Sequence, residues 1–237
     1  MKILLIDNRI SEKCERALLK EGFILLKLPP DPDLGEAVAS HPDTLLFYLN
    51  GNLITTADYC DVASYVFSDL RQMCPNIKIT FTADKRSDRY PNDCVMNGLV
   101  VRDKLFCKSN SISSTITDLA EQEKLRIIHT NQGYPACTAL TFGNSIITAD
   151  RGLAETARKH GLTVSLIRQG EISLPPYEYG FIGGASFVCE GKVYFFGDPS
   201  LHPDGEIIKK AITDAGYFPV ALSDERLSDL GGAVVIV

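Results

Sequence analysis

Apolar residues along this chain gather in short runs that come in pairs across polar turns, and the pairs recur. Leu45–Leu49 faces Leu53–Thr55 across Asn52, and Leu99–Val101 faces Leu105–Cys107 across Asp103. Ala139–Phe142 faces Ile146–Thr148 across Asn144, and Phe187–Cys189 faces Val193–Phe196 across Gly191. Two β-rich runs joined by a tight polar turn predict a hairpin. The centres recur roughly every 40–50 residues, the range of repeat architectures. Each hairpin is followed by a capping-type residue: Asp58, Asn110, Asp150 or Asp198. Apolar residues at helical spacing come next, as in Val62, Ala63, Val66, Phe67 and Leu70. Each repeat ends in a further strand-like run: IKITFT (77–82), LRIIHT (125–130), TVSLI (163–167) or FPVALS (218–223). The unit is hairpin, helix, strand. The near-identical stretches GNLITTAD (51–58) and GNSIITAD (143–150) encode one turn, one strand and one cap, with Asp58 and Asp150 as the expected N-caps.

The two ends complete the pattern. Lys2–Ile6, Ser11–Glu21 and Phe23–Leu28 read as strand, helix and strand, a unit missing its first hairpin strand. Gly22, Gly161 and Gly216 sit where αL helix caps fall. The last residues, AVVIV (233–237), are an orphan apolar strand. Pairing it with Lys2–Ile6 covers an edge that would otherwise invite aggregation and closes a ring. The expectation is an α/β propeller of five pseudo-symmetric ββαβ units, one domain over 1–237. A doubly wound sheet is disfavoured, because it predicts no hairpin in every period and neither GxGxxG nor a P-loop is present.

Composition narrows the function classes. Net charge is −6 with no basic stripe, which argues against nucleic-acid binding. The run KRSDR (85–89) reads as a solvated loop. No apolar stretch approaches the ~20 residues of a membrane helix. The start, MKILLIDNRI, is too short for a secretory signal, so a cytoplasmic location and free thiols are expected for the seven cysteines. With no CxxC pair and four scattered histidines, neither a metal nor a cofactor is expected.

Several segments resemble the pentein superfamily, the guanidine-modifying-enzyme fold, and most nearly an uncharacterised bacterial family of that fold. They are NQGYPAC (131–137), ITADRG (147–152), YGFIGGAS (179–186), FGDPSLHPD (196–204) and LSDLGG (227–232), with looser matches at HPD (41–43) and YPNDCVMN (90–97). The resemblance implies that five segments converge on a central channel: His41–Asp43, Tyr90–Asn97, Asn131–Cys137, Tyr179–Gly184 and Asp229–Gly232. Catalytic penteins place a Cys nucleophile in the last segment, a His in a His-x-Asp pattern in the fourth, and an Asp in an earlier one. Here Asp93 matches the early Asp, but Phe181 replaces the His, Gly183 the paired Asp and Val235 the Cys. Neither Phe nor Val can shuttle a proton or attack carbon.

Three readings follow. The first is a catalytically degenerate pentein binding a small cationic or guanidine-like ligand through Asp93, Asn97, Gln132, Tyr134 and Asp229. The second is a hydrolase acting on a guanidine- or amide-like group through Cys137, with Arg151 lowering its pKa; Cys94 is a weaker nucleophile because Asp93 adjoins it. The third is a non-enzymatic protein interaction module. The remaining cysteines read as core or surface, and Asp204 as a cap for the helix after it. His41 and His202, both in HPD, are not expected to meet at a metal. The ligand and the oligomeric state are left open.

Overall fold

The computed structural model describes residues 1–237. The amino-terminal unit is β1 (Lys2–Asp7), α1 (Glu12–Lys20) and β2 (Phe23–Leu28). The second is a helical turn α2 (Pro42–Leu45), the hairpin β3 (Phe47–Leu49) and β4 (Asn52–Thr56), helices α3 (Ala57–Val62) and α4 (Ser64–Met73), and β5 (Lys78–Thr82). The third runs β6 (Leu99–Val101), β7 (Lys104–Cys107), α5 (Ser114–Gln122), β8 (Arg126–His129). The fourth is α6 (Pro135–Thr138), β9 (Ala139–Phe142), β10 (Ser145–Thr148), α7 (Arg151–Lys159) and β11 (Thr163–Leu166). The fifth has β12 (Ser186–Cys189), β13 (Lys192–Phe195), a 3₁₀ turn at Pro199–Leu201, α8 (Gly205–Asp214) and β14 (Phe218–Ala221), and β15 (Ala233–Ile236) ends the chain.

These strands form five three-stranded sheets, four of them an antiparallel hairpin and the fifth the antiparallel pair β15–β1, and in each the middle strand pairs in parallel with the strand after the helix. The ring closes as the terminal pattern requires. β15 pairs antiparallel with β1, with Leu4 opposite Val235 and Leu5 opposite Val234. The first hairpin turn lies at Asn50–Gly51, where φ is +47° and +80°, two residues before the expected centre. Asn-Gly tolerates that left-handed pair better than other residues, so the strand already begins at Asn52.

Five apolar clusters fill the five seams between neighbouring blades. Leu26 and Leu28 of the first blade meet Val66, Phe67 and Leu70 of the second. Ile54 meets Ile116 and Leu119, and Phe106 meets Leu153 and Ala157. Ile147 meets Ile208 and Ile212, and Phe187 and Tyr194 of the fifth blade pack against Leu4, Leu18 and Phe23 of the first. In each seam the helix of one blade covers the sheet of the blade before it. Each fully buried side chain contributes about 1.5–3 kcal/mol, so the blades cannot separate without exposing these seams.

Three caps differ from expectation. Thr56, not Asp58, caps α3, its side-chain oxygen accepting from Tyr59 N; Asp58 lies in the first turn beside Lys85. Ser113, not Asn110, caps α5. Asp198 caps the 3₁₀ turn, and Asp204, at the N-cap position of α8, turns its carboxylate to Arg168 N and Nε. Asp150 caps α7 through Leu153 N, as expected. The run KRSDR is not wholly solvated either. Arg86 is buried, pairs with Asp31, donates to the Thr44 and Leu45 carbonyls, and lies over the Tyr59 ring. It ties the long connection before β6 to α2. No helix is long and apolar enough to cross a membrane.

Candidate functional site

The segments preceding the hairpins meet at the centre of the ring, and hydrogen bonds join them into a closed circuit. Asp43 N donates to Gly231 O (3.2 Å), and Leu230 N to Gly184 O (2.9 Å). Gly184 N donates to Cys137 O (3.0 Å). Ala136 N donates to Asn97 Oδ1 (2.8 Å), and Asn97 Nδ2 returns to Asp43 O (3.0 Å). Four segments take part through their main chain; the 90–97 segment does so through one side chain, the buried Asn97. All five expected segments are therefore brought together.

The circuit stands between two cavities. On one side is a throat of about 390 Å³, lined by the first strand of every hairpin and by β15. On the other is a mouth cavity of about 430 Å³ whose lining includes Asp93, Tyr134, Cys137 and Asp229. Two expected ligand residues do not line this mouth. Asn97 is spent within the circuit. The Gln132 amide bonds Asp150 Oδ2 (2.9 Å) in an adjoining surface recess. Arg151, exposed on the first turn of α7, lines another neighbouring recess.

The Asp229 carboxylate is enclosed by main chain. Its Oδ2 accepts Phe181 N (2.8 Å) and its Oδ1 accepts Gly231 N (3.0 Å). A Cβ on Gly180 or Gly184 would collide with this carboxylate, and one on Gly231 would collide with His41. The carboxylate thus fills the space those glycines leave. His41 is buried between two acids, its ring nitrogens 3.7 Å from Asp7 Oδ2 and 3.8 Å from Asp229 Oδ1. Asp7 is in turn clamped by Arg9, whose Nε donates to it at 2.9 Å. Asp43 keeps some exposure as a residue, but both its carboxylate oxygens are shut off from solvent and have no hydrogen-bond partner of ordinary geometry.

Burial governs the charges. Desolvation, reinforced by the Asp229 charge, pushes the Asp43 carboxyl up to about 7. Desolvation lifts Asp229 to about 6 against the pull of its two backbone donors. His41 is driven down to about 4, again chiefly by burial, and is neutral near pH 7. The Cys137 thiol is pushed well above the ordinary value, first by burial and then by Asp43 and Asp229, while the Asn97 amide at 3.2 Å opposes this. On the cavity wall, Tyr134 Oη donates to Asp93 Oδ2, and Asp93 Oδ1 is buried without a partner.

The positions singled out by resemblance have structural reasons for their residues. Phe181 lines the mouth. A Cβ on Gly183 would strike the carbonyls of Ala136, Cys137 and Ala139, so no side chain fits there. Val235 lines the throat, across the circuit from the mouth. Sequence reasoning did not single out Asp7 or Tyr177, and it named His41 and Tyr179 only as the ends of two converging segments, not as ligand residues. The signal for the two tyrosines was the run PPYEYGF (175–181) in a long connection without strand or helix periodicity, a kind of segment that often carries function. His41 and His202 do not meet; His202 lies at the turn before α8, where its Nδ1 accepts Asp204 N.

A family model described as "Family of unknown function (DUF6873)" matches residues 5–234. No curated protein matches the chain by sequence. Among solved structures, a mutant of DDAH from Pseudomonas aeruginosa complexed with citrulline is similar at TM-score 0.58 and 12% identity, over 94% of this chain and 91% of that one. C. jejuni agmatine deiminase is similar at TM-score 0.56 and 10% identity, over 94% and 87%. A cyanobacterial arginine dihydrolase is similar at TM-score 0.52 and 11% identity, over 93% of this chain but 36% of that one. At such identities the likeness shows the fold, which is that of the pentein superfamily.

Two outcomes follow. Asn97→Ala breaks two links of the circuit and leaves a buried N–H and C=O unpaired; urea unfolding is expected to show a loss of about 2–4 kcal/mol. Asp43→Asn tests the buried acid. A carboxyl raised in the folded state contributes stability that is complete below its unfolded pKa and is lost as pH rises through the folded value near 7. The variant lacks this decline. Whatever the offset at pH 5, thermal melts at pH 8 are expected to favour the variant by roughly 1–3 kcal/mol more.

Proposed function

The chain belongs to the family of unknown function DUF6873, and on that footing we propose that it binds a small organic cation, of the ammonium or guanidine-like kind, in the mouth cavity. The observation that carries this reading is the lining. Asp93, Glu178 and Asp229 line one cavity with no Lys or Arg among its walls, and Asp93 Oδ1 is buried in that wall without a partner. A buried unpaired acceptor is costly, and a cationic ligand removes that cost. The neighbours of like fold carry names that speak of arginine derivatives and agmatine, which agrees with a cationic ligand.

A thermal-shift panel of arginine, agmatine, methylated arginines and simple alkylammonium ions tests it. At least one is expected to raise the melting temperature, since saturation at a hundred times Kd adds about 2.7 kcal/mol. Asp93→Asn is expected to abolish that rise while the unliganded protein melts within a few degrees of the parent. No stabilisation by any cation would overturn the reading.

A second reading, hydrolysis through Cys137, has one observation in its favour: the thiol lines the cavity. It needs a thiolate, which burial and two neighbouring carboxylates oppose. Iodoacetamide between pH 6 and 9 is expected to leave Cys137 unmodified in the native chain and to label it after unfolding. Fast native labelling at pH 7 would restore the hydrolase.

A further inference from the structure

The walls of the mouth cavity narrow the kind of cation it suits. Tyr134, Tyr177, Tyr179 and Phe181 are aromatic, a third of its 12 lining residues. Tyr179 and Phe181 stand edge to face, ring centroids 5.9 Å apart and planes at 89°, which makes a right-angled corner. Tyr177 reaches from the connection before β12 toward Gly35 and adds its ring to the lining. From this conjunction of rings and carboxylates we infer that the cavity takes an alkylated ammonium, a trimethylammonium group of the choline kind, in preference to a guanidinium. The inference rests on the reading of the cavity as a cation site.

The decisive quantity is the supply of hydrogen-bond acceptors. A guanidinium brings five N–H donors in a fixed plane, each of which needs an acceptor once water is excluded. Of its three lining carboxylates Glu178 is exposed, where water competes for its oxygens, and the other two are partly engaged. Both Asp229 oxygens already accept main-chain N–H groups, and Asp93 Oδ2 accepts Tyr134. Of these two carboxylates, Asp93 Oδ1 alone has no partner. A quaternary ammonium has no N–H to satisfy. It is held by the faces of aromatic rings and by diffuse negative charge, and this cavity offers both. Phe181, at the position where the pentein resemblance places a His, supplies a π-face and no hydrogen bond.

Titration calorimetry of the full chain with choline, tetramethylammonium, guanidinium, agmatine and 3,3-dimethyl-1-butanol tests this, the last being the uncharged isostere of choline. Choline is expected to bind at least about tenfold tighter than guanidinium, agmatine and the isostere, as ring faces and charge together require. Phe181→Leu, which keeps bulk and removes the ring, is expected to weaken choline about tenfold with little change in melting temperature. Tyr179→Leu serves the same purpose should the first variant fail to fold. Agmatine or guanidinium binding as tightly as choline would overturn the inference and leave the cation site standing. The isostere binding as tightly as choline would overturn it too, since the cavity would then be an apolar slot. Binding by no cation at all would remove the site and the inference together.

Discussion

The closed circuit of hydrogen bonds at the hub is the constraint on which the rest of the structure depends. The five apolar seams bring the blades together, but burial is not directional and does not set the blades in register at the centre. The circuit does. Gly184 is its busiest member: its N–H goes to Cys137, while its carbonyl accepts Leu230 N and Gly232 N. Asn97 is the single side chain in the loop, placed where the third blade offers no main-chain group of its own. Arg86 supports the same region from outside by binding the last carbonyls of α2.

Packing the hub this closely takes charge out of water. Asp7 and Asp229 flank the buried His41, the Asp43 carboxylate feels the Asp229 charge with both its oxygens shut off from solvent, and Arg9 bonds to this group through Asp7. The remaining acids respond by holding protons near neutrality, and the thiol beside them does the same. The same desolvation weakens the fold at alkaline pH, and under the proposed reading a cation brought beside Asp229 would favour its charged form.

Much of this architecture was legible in the sequence because it rests on periodicity. Hairpins, helices and the orphan terminal strand each carried their own hydrophobic spacing, and the ring followed from counting them. The caps show where local signals lose. Thr56, Ala57 and Asp58 read the same as Thr148, Ala149 and Asp150, yet the helix starts at Ala57 in one copy and at Arg151 in the other. Tyr59 decides the first case. It is buried in the seam with the first blade and its hydroxyl donates to Pro29 O, so the chain turns helical at once. Tertiary packing overrides eight nearly identical letters. Within the site, Asp93, Tyr134, Cys137 and Asp229 could be placed because they lie in the segments that lead into the inner strands, Asp93 also because it matches the early Asp of the resemblance. Asn97 and Gln132 lie in the same segments but are consumed by neighbours, which no single-chain pattern reveals. The walls at Tyr177 and Tyr179 lie in irregular backbone, where there is no period to read.

The positions that resemblance assigns to chemistry are closed to it by geometry as well as by residue type. An Asp at 183 would have to displace three carbonyl groups of the neighbouring segment, one of them, Cys137 O, itself a link in the circuit. A thiol at 235 would sit in β15 opposite Leu4, on the throat side. Asp93 and Asp229 line the mouth instead, so a nucleophile at 235 would line a different cavity from these carboxylates. Restoring the acid alone would break the hub. Gly183 is held small by three carbonyls, and its neighbours Gly180 and Gly184 by the Asp229 carboxylate, so one glycine-rich segment shapes both the hub and the wall of the mouth.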